Sequence, residues 1–455
     1  MKIRPNAILI TIDSLRVDHV GCLGYPSQTT PNLDNLAKRG ALFSQVISNG
    51  AGSVTSFPSI MTSTYSLMNP NSRAHTTGAF WVKLSDKHST IAEVLKSQGY
   101  STVAFINRKM DISSIFGYHR GFDDFNEFLG TAKRNSLITW MLQKLNTLRG
   151  NKSIRAEIIN KEAIVWLKNH MQKPFFLWLH YMDVHTPPNP KNISILKRIE
   201  AIRLGKKIHG SSPDLSKSEM NCLIELYDRE IRYVDNCIGI FINQLAEMDI
   251  TLANTYFILV SDHGDQFMEH GEWGHGRLYD EVIRVPLIIS GPDIKESTSV
   301  KTQVSLLDLA PTIIDLLKIS KVKAFMGKSL LPLLDEKAQV LNKNYVISEE
   351  LTRDFSCRTD DWKYVRHDRT NTHELYNLRK DPDEKVNLAS NHSEKVDELN
   401  ELISKHTLAE ERVDRLISKG RGLFSSEEME ILKRYPKKDA AFLSKVFGIP
   451  RAPNC

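Results

Sequence analysis

Cysteine is scarce in this sequence, with five among 455 residues. The five are far apart and odd in number: Cys22, Cys222, Cys237, Cys357 and Cys455. Small secreted proteins that depend on disulfides show the opposite pattern, with many paired cysteines in a short chain. The cysteines therefore argue against a disulfide framework and favour a reducing compartment.

Long apolar runs are missing as well. A membrane-spanning helix needs roughly 20 consecutive apolar residues, and no stretch approaches that length. The first apolar run, at 7–12, is too short for a span and is not followed by the small-residue cleavage site of a secretory signal. We expect a protein without a membrane span or signal peptide, located in the cytoplasm.

The charge is not gathered in a tail. The sequence has 60 Lys and Arg against 54 Asp and Glu, a formal net charge of +6. It shows neither Cys/His finger spacing nor a basic run interleaved with aromatic residues, so we expect no nucleic-acid partner. Mild positive charge suits a small anionic substrate equally well. The sequence gives no indication of oligomeric state.

The chain does contain alternating strand and helix patterns. Buried parallel strands read as continuous β-branched and apolar runs, and helices as 3.6-residue periodicities with caps. Strands are predicted at 7–12, 101–106, 175–180 and 255–260, and helices at 90–98, 156–169 and 217–248. This alternation predicts an α/β fold, a three-layer α/β/α sandwich around a central mostly parallel sheet.

A second, smaller unit is expected after this domain. Short strand patterns at 345–348, 362–367 and 374–378 predict a small antiparallel sheet, followed by charged helices at 393–408 and 425–434. We therefore divide the chain into a catalytic α/β domain at 1–340 and a C-terminal α+β subdomain at 341–455. The segment 189–218 is rich in Lys, Arg and Ser and is expected to be a surface insertion or lid.

Three predicted strands end in side chains that could bind a ligand. Asp13 follows the first strand, the segment from His180 to His185 ends another, and Asp262 and His263 follow a third. Ligand sites of open parallel sheets collect at the carboxyl ends of strands. A carboxylate beside an imidazole is a donor pair for a divalent cation. The sequence therefore predicts one site at this edge.

Several short segments between residue 6 and about residue 390 follow one another in a characteristic order. They include Asp-His-Gly at 262–264, Arg-Val-Pro at 284–286, and the segments 12–19, 30–37, 120–125, 180–187, 308–312 and 374–378. Each alone is unspecific. In this order they resemble the sulfatases of the alkaline phosphatase superfamily and their phosphonate monoester hydrolase relatives.

The resemblance implies a metal site. Asp13, Asp262 and His263 match the family's ligand positions and would hold one divalent ion: Ca, Mn or Mg. Many sulfatases have two successive acids where this chain has Asp13 and Ser14. An imidazole rather than an amide after the second acid makes the set more similar to that of the phosphonate monoester hydrolases.

The resemblance also implies a nucleophile. Sulfatases carry Cys or Ser, one residue, Pro or Ala, one residue, then Arg, and the first is oxidised to formylglycine. The segment that matches best is Ser56-Phe57-Pro58-Ser59-Ile60. Ile60 replaces the arginine, which argues against formylglycine at Ser56 and leaves a metal-activated serine as the alternative. Thr55 is the reserve hydroxyl.

Further residues are implied around the substrate. His185 and His275 match positions that bind the ester oxygens or protonate the leaving group, and Asn107 lies where relatives place a polar substrate contact. His270 could act in the site or be held by neighbouring glutamates in a polar loop. Arg16 and Asp18 are expected to form a structural pair.

The function expected from these residues is metal-dependent hydrolysis of a sulfate ester, on a small molecule or a carbohydrate. One alternative is a phosphodiester or phosphonate monoester hydrolase, or a phosphotransferase, on the same fold. Another is a metal-binding homologue that has lost catalysis. These alternatives share the metal site and differ at the nucleophile.

Overall fold

The computed structural model describes residues 4–69, 82–107, 110–127, 154–170, 174–185, 193–208, 213–334 and 345–417. The strands are β1 Asn6–Ile12, β2 Ala41–Ile47, β3 Ser101–Ile106, β4 Asp124–Asn126, β5 Phe175–Tyr181, β6 Thr255–Ser261, β7 Gln266–Phe267, β8 Trp273–Gly274, β9 Arg284–Ser290, β10 Thr298–Val300, β11 Val304–Ser305, β12 Val346–Glu349, β13 Asp354–Arg358, β14 Trp362–His367 and β15 Thr372–Asn377. The α-helices are α1 Pro31–Lys38, α2 Ser53–Thr62, α3 Ile91–Ser97, α4 Ala156–His170, α5 Ile195–Ile208, α6 Lys217–Ala246, α7 Asp280–Ile283, α8 Leu309–Leu316 and α9 Ser393–Ile417.

The central sheet has the strand order β10-β2-β9-β6-β1-β5-β3-β4, with β11 also paired to β2. Every neighbouring pair is parallel except those of β9, which runs antiparallel to β2 and β6. β1 lies in the middle, between β5 and β6. The predicted mostly parallel sheet is confirmed, with one antiparallel strand that the sequence did not indicate.

Two helical layers cover the sheet. Successive strand residues point to opposite faces, so Leu9 packs with α2, α3 and α8, while Ile8 and Ile10 pack with α1, α4 and α6. Phe176 and Trp178 of β5 lie on the first face, and Leu177 and Leu179 lie on the second. Both faces of the sheet are buried, which is why its central strands read as unbroken apolar runs. The three-layer sandwich is confirmed.

The small antiparallel sheet predicted for the C-terminal region is also confirmed, with the order β12-β13-β14-β15. Leu399 and Ile403 of α9 pack on it together with Phe355 and Leu375. The helix runs past its predicted end to Ile417. The helix predicted at 425–434 and the boundary placed between 340 and 341 lie outside the described residues, and the division into domains stays a prediction.

The segment 189–218 is more regular than expected. Residues 195–208 form the helix α5, whose apolar residues occur on both its inner and outer sides. Because apolar residues lie on both sides of α5, its sequence has no clear amphipathic period and does not predict a helix. Among the described helices, none combines the length and apolar character that a bilayer crossing requires.

Buried ion pairs join helix α7, next to the central sheet, to the C-terminal region. Asp280 of α7 forms ion pairs with Arg358 at 2.8 Å and with Lys363 at 3.0 Å, and Lys363 also pairs with Glu384 at 2.8 Å. Burial by itself would raise the pKa of Asp280, but the two cations outweigh it and hold that pKa far below its usual range. The Lys363 ammonium is thus the shared counter-charge of two buried carboxylates.

Lys363→Met should therefore destabilise the protein. It leaves Asp280 and Glu384 buried with one cation fewer, a change that costs about 3–5 kcal/mol in buried pairs. Urea unfolding followed by fluorescence measures it. The matched control is Lys385→Met, whose ammonium pairs with Asp383 at the surface and should change the midpoint little. Equal midpoints for the two variants would contradict the role given to Lys363.

Candidate active site

Two carboxylates meet at the carboxyl edge of the central sheet. β1 and β6 are parallel neighbours, and their last paired residues are Ile12 and Ser261. The next residue on each strand is an acid, so Asp13 and Asp262 leave the sheet side by side, and both are fully buried. The strand register alone therefore brings together the two acids that the sequence predicted as ligands.

The backbone after β1 supports this pair. Ser14 has a left-handed φ of 60°. In this conformation its hydroxyl donates to Oδ1 of Asp13 at 2.9 Å and its backbone N–H donates to Oδ1 of Asp262 at 3.4 Å. Where many sulfatases have a second acid, this chain therefore has a serine that orients both carboxylates.

His263 completes a three-residue donor set. Its Nε2 lies 3.5 Å from Oδ2 of Asp262 and 3.8 Å from Oδ1 of Asp13, and the potential ligand atoms of the three residues all lie within 4.8 Å of one another. Its Nδ1 lies 2.8 Å from the carbonyl oxygen of Gly264, which directs Nε2 toward the acids. The structure thus brings together Asp13, Asp262 and His263 as predicted.

A hydroxyl occupies the centre of this set, and it belongs to Ser53. Its Oγ lies 2.6 Å from Oδ2 of Asp262, 3.0 Å from Oδ2 of Asp13 and 3.3 Å from Nε2 of His263. A hydroxyl has one proton and can donate to only one of two carboxylate oxygens. Two buried carboxylates converging on one oxygen form an arrangement that a divalent cation would balance, so the donor set fits a metal.

The prediction of Ser56 as the hydroxyl on the metal site does not agree with this geometry. The Ser56 hydroxyl donates to the carbonyl oxygen of Ser53 at 3.5 Å rather than to either acid. The reserve candidate Thr55 donates to Oε1 of Glu350 at 2.7 Å. Helix α2 begins at Ser53, so residues later in the first turn point away from the acids.

Pro58 explains why the family's nucleophile pattern matches the sequence better at Ser56 than at Ser53. It satisfies the family's third position when counting starts at Ser56, whereas counting from Ser53 puts Thr55 there. The glycine-rich stretch before Ser53 could have indicated the correct residue. Gly52 caps α2 with extended backbone, so the first helical residue, Ser53, faces the strand ends.

The residue at the family's arginine position changes accordingly. Counted from Ser53, it is Phe57, whose ring packs edge-on against His180 with centroids 5.1 Å apart. Ile60, the residue predicted for that position, also belongs to α2 and is buried in the core. Neither Phe57 nor Ile60 is an arginine. The predicted absence of the family's arginine therefore holds whichever serine the pattern is counted from.

Two of the predicted histidines lie beside the donor set. The ring centroid of His275 is 4.4 Å from that of His263 and 5.5 Å from that of His185. Nδ1 of His275 lies 2.7 Å from Oδ1 of the buried Asp265. Burial by itself would raise the pKa of Asp265, but the hydrogen bond and charge of His275 hold it below its usual range. An ionised Asp265 fixes the His275 tautomer and directs Nε2 to the reacting groups.

Asn107 bonds to the backbone instead of being free for the predicted substrate contact, and His270 has the structural role that was one of its two expected roles, although its glutamate partner is Glu281. The Asn107 amide donates to the carbonyl oxygen of Ile154 and accepts from the Ile154 N–H at 3.1 Å, so both ends of the amide are used on backbone. His270 stacks on Tyr279 with centroids 3.6 Å apart and faces Glu281 at 3.4 Å. Both side chains hold loops together. Arg16 and Asp18 form the expected structural pair at 2.7 Å.

Glu350, from the C-terminal region, was not predicted from the sequence. This residue follows β12, and its Oε1 accepts from the N–H of Ala51 at 2.6 Å and from the Thr55 hydroxyl at 2.7 Å. Desolvation raises the pKa of Glu350 to about 7. These two bonds bracket Ser53 and fix the start of α2.

Comparison with known proteins gives the family of the chain. The family model described as Sulfatase matches residues 5–319, more than half of the chain. The chain belongs to the sulfatase family. A second model, N-sulphoglucosamine sulphohydrolase, C-terminal, matches residues 268–412 of this sulfatase-family chain. The resemblance inferred from the ordered segments is thereby confirmed.

Relatives of this sulfatase include bacterial and animal proteins. It is 24% identical over 462 residues to an arylsulfatase of Clostridium perfringens, covering 88% of this chain and 94% of that protein. It is 28% identical over 291 residues to arylsulfatase K of Gallus gallus, covering 54% of each chain. The match thus spans about half the length of the chicken relative.

Solved structures share the fold. A phosphonate monoester hydrolase of Agrobacterium radiobacter aligns with a TM-score of 0.70 at 20% identity, over 90% of this chain and 96% of that one. A protein crystallised with its substrate D-glucosamine-2-N,6-O-disulfate aligns equally well, over 90% of this chain and 98% of that one. At these identities the likeness concerns architecture.

Glu350→Ala should lower kcat about 10- to 100-fold, because it releases the two bonds that fix the start of α2 and so lets Ser53 move. Glu350→Gln keeps an oxygen acceptor for the Ala51 N–H and should recover most of the rate. Steady-state kinetics and metal content of the three proteins test this. An alanine variant with the wild-type rate, or a glutamine variant as slow as alanine with the fold intact, would contradict a positioning role.

Proposed function

We propose that this sulfatase-family chain is a metal-dependent hydrolase of sulfate esters in which Ser53 is the nucleophile. The observation that carries the proposal is the position of the Ser53 hydroxyl between Asp13, Asp262 and His263. Ser53 is also the first residue of α2, where unpaired N–H groups favour negative charge. The two neighbouring carboxylates and the start of α2 both favour the Ser53 hydroxyl oxygen as a nucleophile.

Asp13, Asp262 and His263 would hold the cation. A mixed set of carboxylate oxygens and one imidazole suits Mn, Mg or Ca, with the imidazole favouring the transition metal. When bound, such an ion lowers the pKa of a neighbouring hydroxyl and neutralises charge on sulfuryl oxygens.

The residues supply the remaining steps. The Ser53 oxygen attacks sulfur while its proton passes to Asp262, the nearer carboxylate. The bond from sulfur to the leaving oxygen breaks, and that oxygen takes a proton from Nε2 of His275, whose ring lies 5.5 Å from that of His185. Water then attacks the sulfur of the serine sulfate, gives its proton to His275, and releases sulfate as Ser53 recovers its proton from Asp262.

We propose that Ser53 acts without conversion to formylglycine. Counted from Ser53, the family pattern fails at the third position, Thr55, and again at the fifth, Phe57. Conversion would remove two hydrogens from the Ser53 peptide, so peptide mass spectrometry of the purified protein separates the two forms.

A second candidate function is hydrolysis of phosphonate monoesters or phosphodiesters. His263 in the ligand set favours it, together with the likeness in fold to the phosphonate monoester hydrolase. In either case we propose a small-molecule or carbohydrate ester as substrate. We also propose a reducing, cytoplasmic location, since Cys22, Cys222, Cys237 and Cys357 are free thiols in the described structure.

Ser53→Ala should abolish turnover and retain most of the bound metal, because the three ligands remain. Ser56→Ala is the matched control, three residues along the same helix, and should keep most of the rate. Turnover of an aryl sulfate and metal analysis by mass spectrometry report both quantities. If Ser56→Ala is the inactive variant, the assignment of Ser53 is wrong.

Asp262→Ala should lose metal and activity together, and full metal content in that variant would contradict the ligand set.

The missing arginine predicts a substrate preference. With Phe57 in its place, the site has one fixed cation fewer, which penalises a phosphate monoester with nearly two negative charges more than a sulfate monoester with about one. Sulfate monoesters, phosphodiesters and phosphonate monoesters should each exceed the matched phosphate monoester in kcat/KM. A preference for the phosphate monoester of tenfold, about 1.4 kcal/mol in transition-state binding, would refute the charge argument.

A further inference from the structure

Helix α5 exposes an unusual set of aliphatic side chains. Within the described residues, the three most exposed large apolar side chains are Leu196 at 79%, Ile195 at 78% and Ile199 at 60%, and Ile202 of the same helix is 56% exposed. We call these four residues the outer face of α5. Single exposed apolar residues are ordinary, whereas four within eight positions of one helix mark an interaction surface.

The opposite side of α5 is anchored beside the active site. Leu204 and Ile208 are buried against Leu223 of α6, and Trp273 packs on the same cluster. Trp273 is two residues before His275, whose ring lies beside His263. The helix is therefore held in place by its inner side, through a cluster that includes Trp273.

Basic residues are interspersed with the outer face. The helix has five Lys or Arg and one acid. Lys197 pairs with Glu225, while Arg203 and Lys207 pair with Glu219. Arg198 and Lys206 have no ion pair among the described residues.

Lys206 lies on the outer face itself, four residues after Ile202 and seven after Ile199. The cores of protein interfaces are depleted in lysine and enriched in aromatic residues, but the outer face has lysine and no aromatic residue. At a lipid surface, by contrast, aliphatic side chains enter the acyl boundary while Lys and Arg extend to the headgroups. The combination fits an anionic membrane better than a protein partner.

We propose that α5 docks this protein peripherally on an anionic lipid surface, with Ile195, Leu196, Ile199 and Ile202 inserted and Lys206 and Arg198 on the headgroups. Docking by α5 holds the protein at the lipid surface, so that esters carried by that surface are concentrated near it. This docking does not depend on which ester the site hydrolyses.

Sedimentation of the full chain with vesicles tests the proposal. The vesicles are phosphatidylcholine alone or phosphatidylcholine with phosphatidylserine. The wild type should bind the mixed vesicles, and binding should fall with added salt. The double variant Ile199→Glu and Ile202→Glu should lose at least tenfold of this binding and keep its rate on a soluble ester. Val386→Glu, at a 57% exposed position outside α5, is the matched control and should bind as the wild type does.

The alternative outcomes are distinct. Absence of binding to the mixed vesicles would overturn the proposal, as would equal loss in the Val386 variant. Wild-type self-association that disappears in the double variant, without vesicle binding, would assign the outer face to a second copy of the chain instead. Retained turnover of the soluble ester shows that the variants are folded, so a loss of vesicle binding reports on the surface.

Discussion

The burial of two carboxylates at one point is the constraint on which the rest of the site depends. Asp13 and Asp262 follow paired residues of adjacent parallel strands, so neither can move away without breaking the central sheet. Burying two like charges side by side is unfavourable unless a cation or hydrogen-bond donors balance them. The surrounding side chains provide those donors: Ser14 and Ser53 bond the acids, and His263 completes the set.

The same constraint explains why Ser53, the proposed nucleophile, is held from two directions. Ser53 lies at the first residue of a helix that is packed into the core by its later residues, and the loop before it is tied to Glu350 from the C-terminal region. That region is itself fixed to the catalytic sheet by the buried ion pairs of Asp280, Lys363 and Glu384. The second lobe therefore has a structural part in the active site even though it supplies no metal ligand.

The segment that contains Trp273 and His275 connects the candidate site to helix α5. His275 is oriented by Asp265, and Trp273, just before it, packs with the buried side of α5. The segment that carries His275 therefore also anchors the helix that is proposed to contact a lipid surface.

The sequence by itself determined the α/β sandwich and the small antiparallel sheet and indicated the candidate metal donors, because strand runs, helix caps and strand-end acids are local patterns. It placed Asp13, Asp262, His263, His185 and His275 correctly in one region, since the carboxyl ends of parallel strands share an edge. Only the tertiary structure decided which hydroxyl meets the acids. Ser53 and Ser56 are three residues apart, and the choice between them depends on where helix α2 begins relative to β1 and β6. The parts played by Glu350 and Asn107 were decided in the same way, because hydrogen bonds between segments hundreds or tens of residues apart leave no periodic signal in the chain.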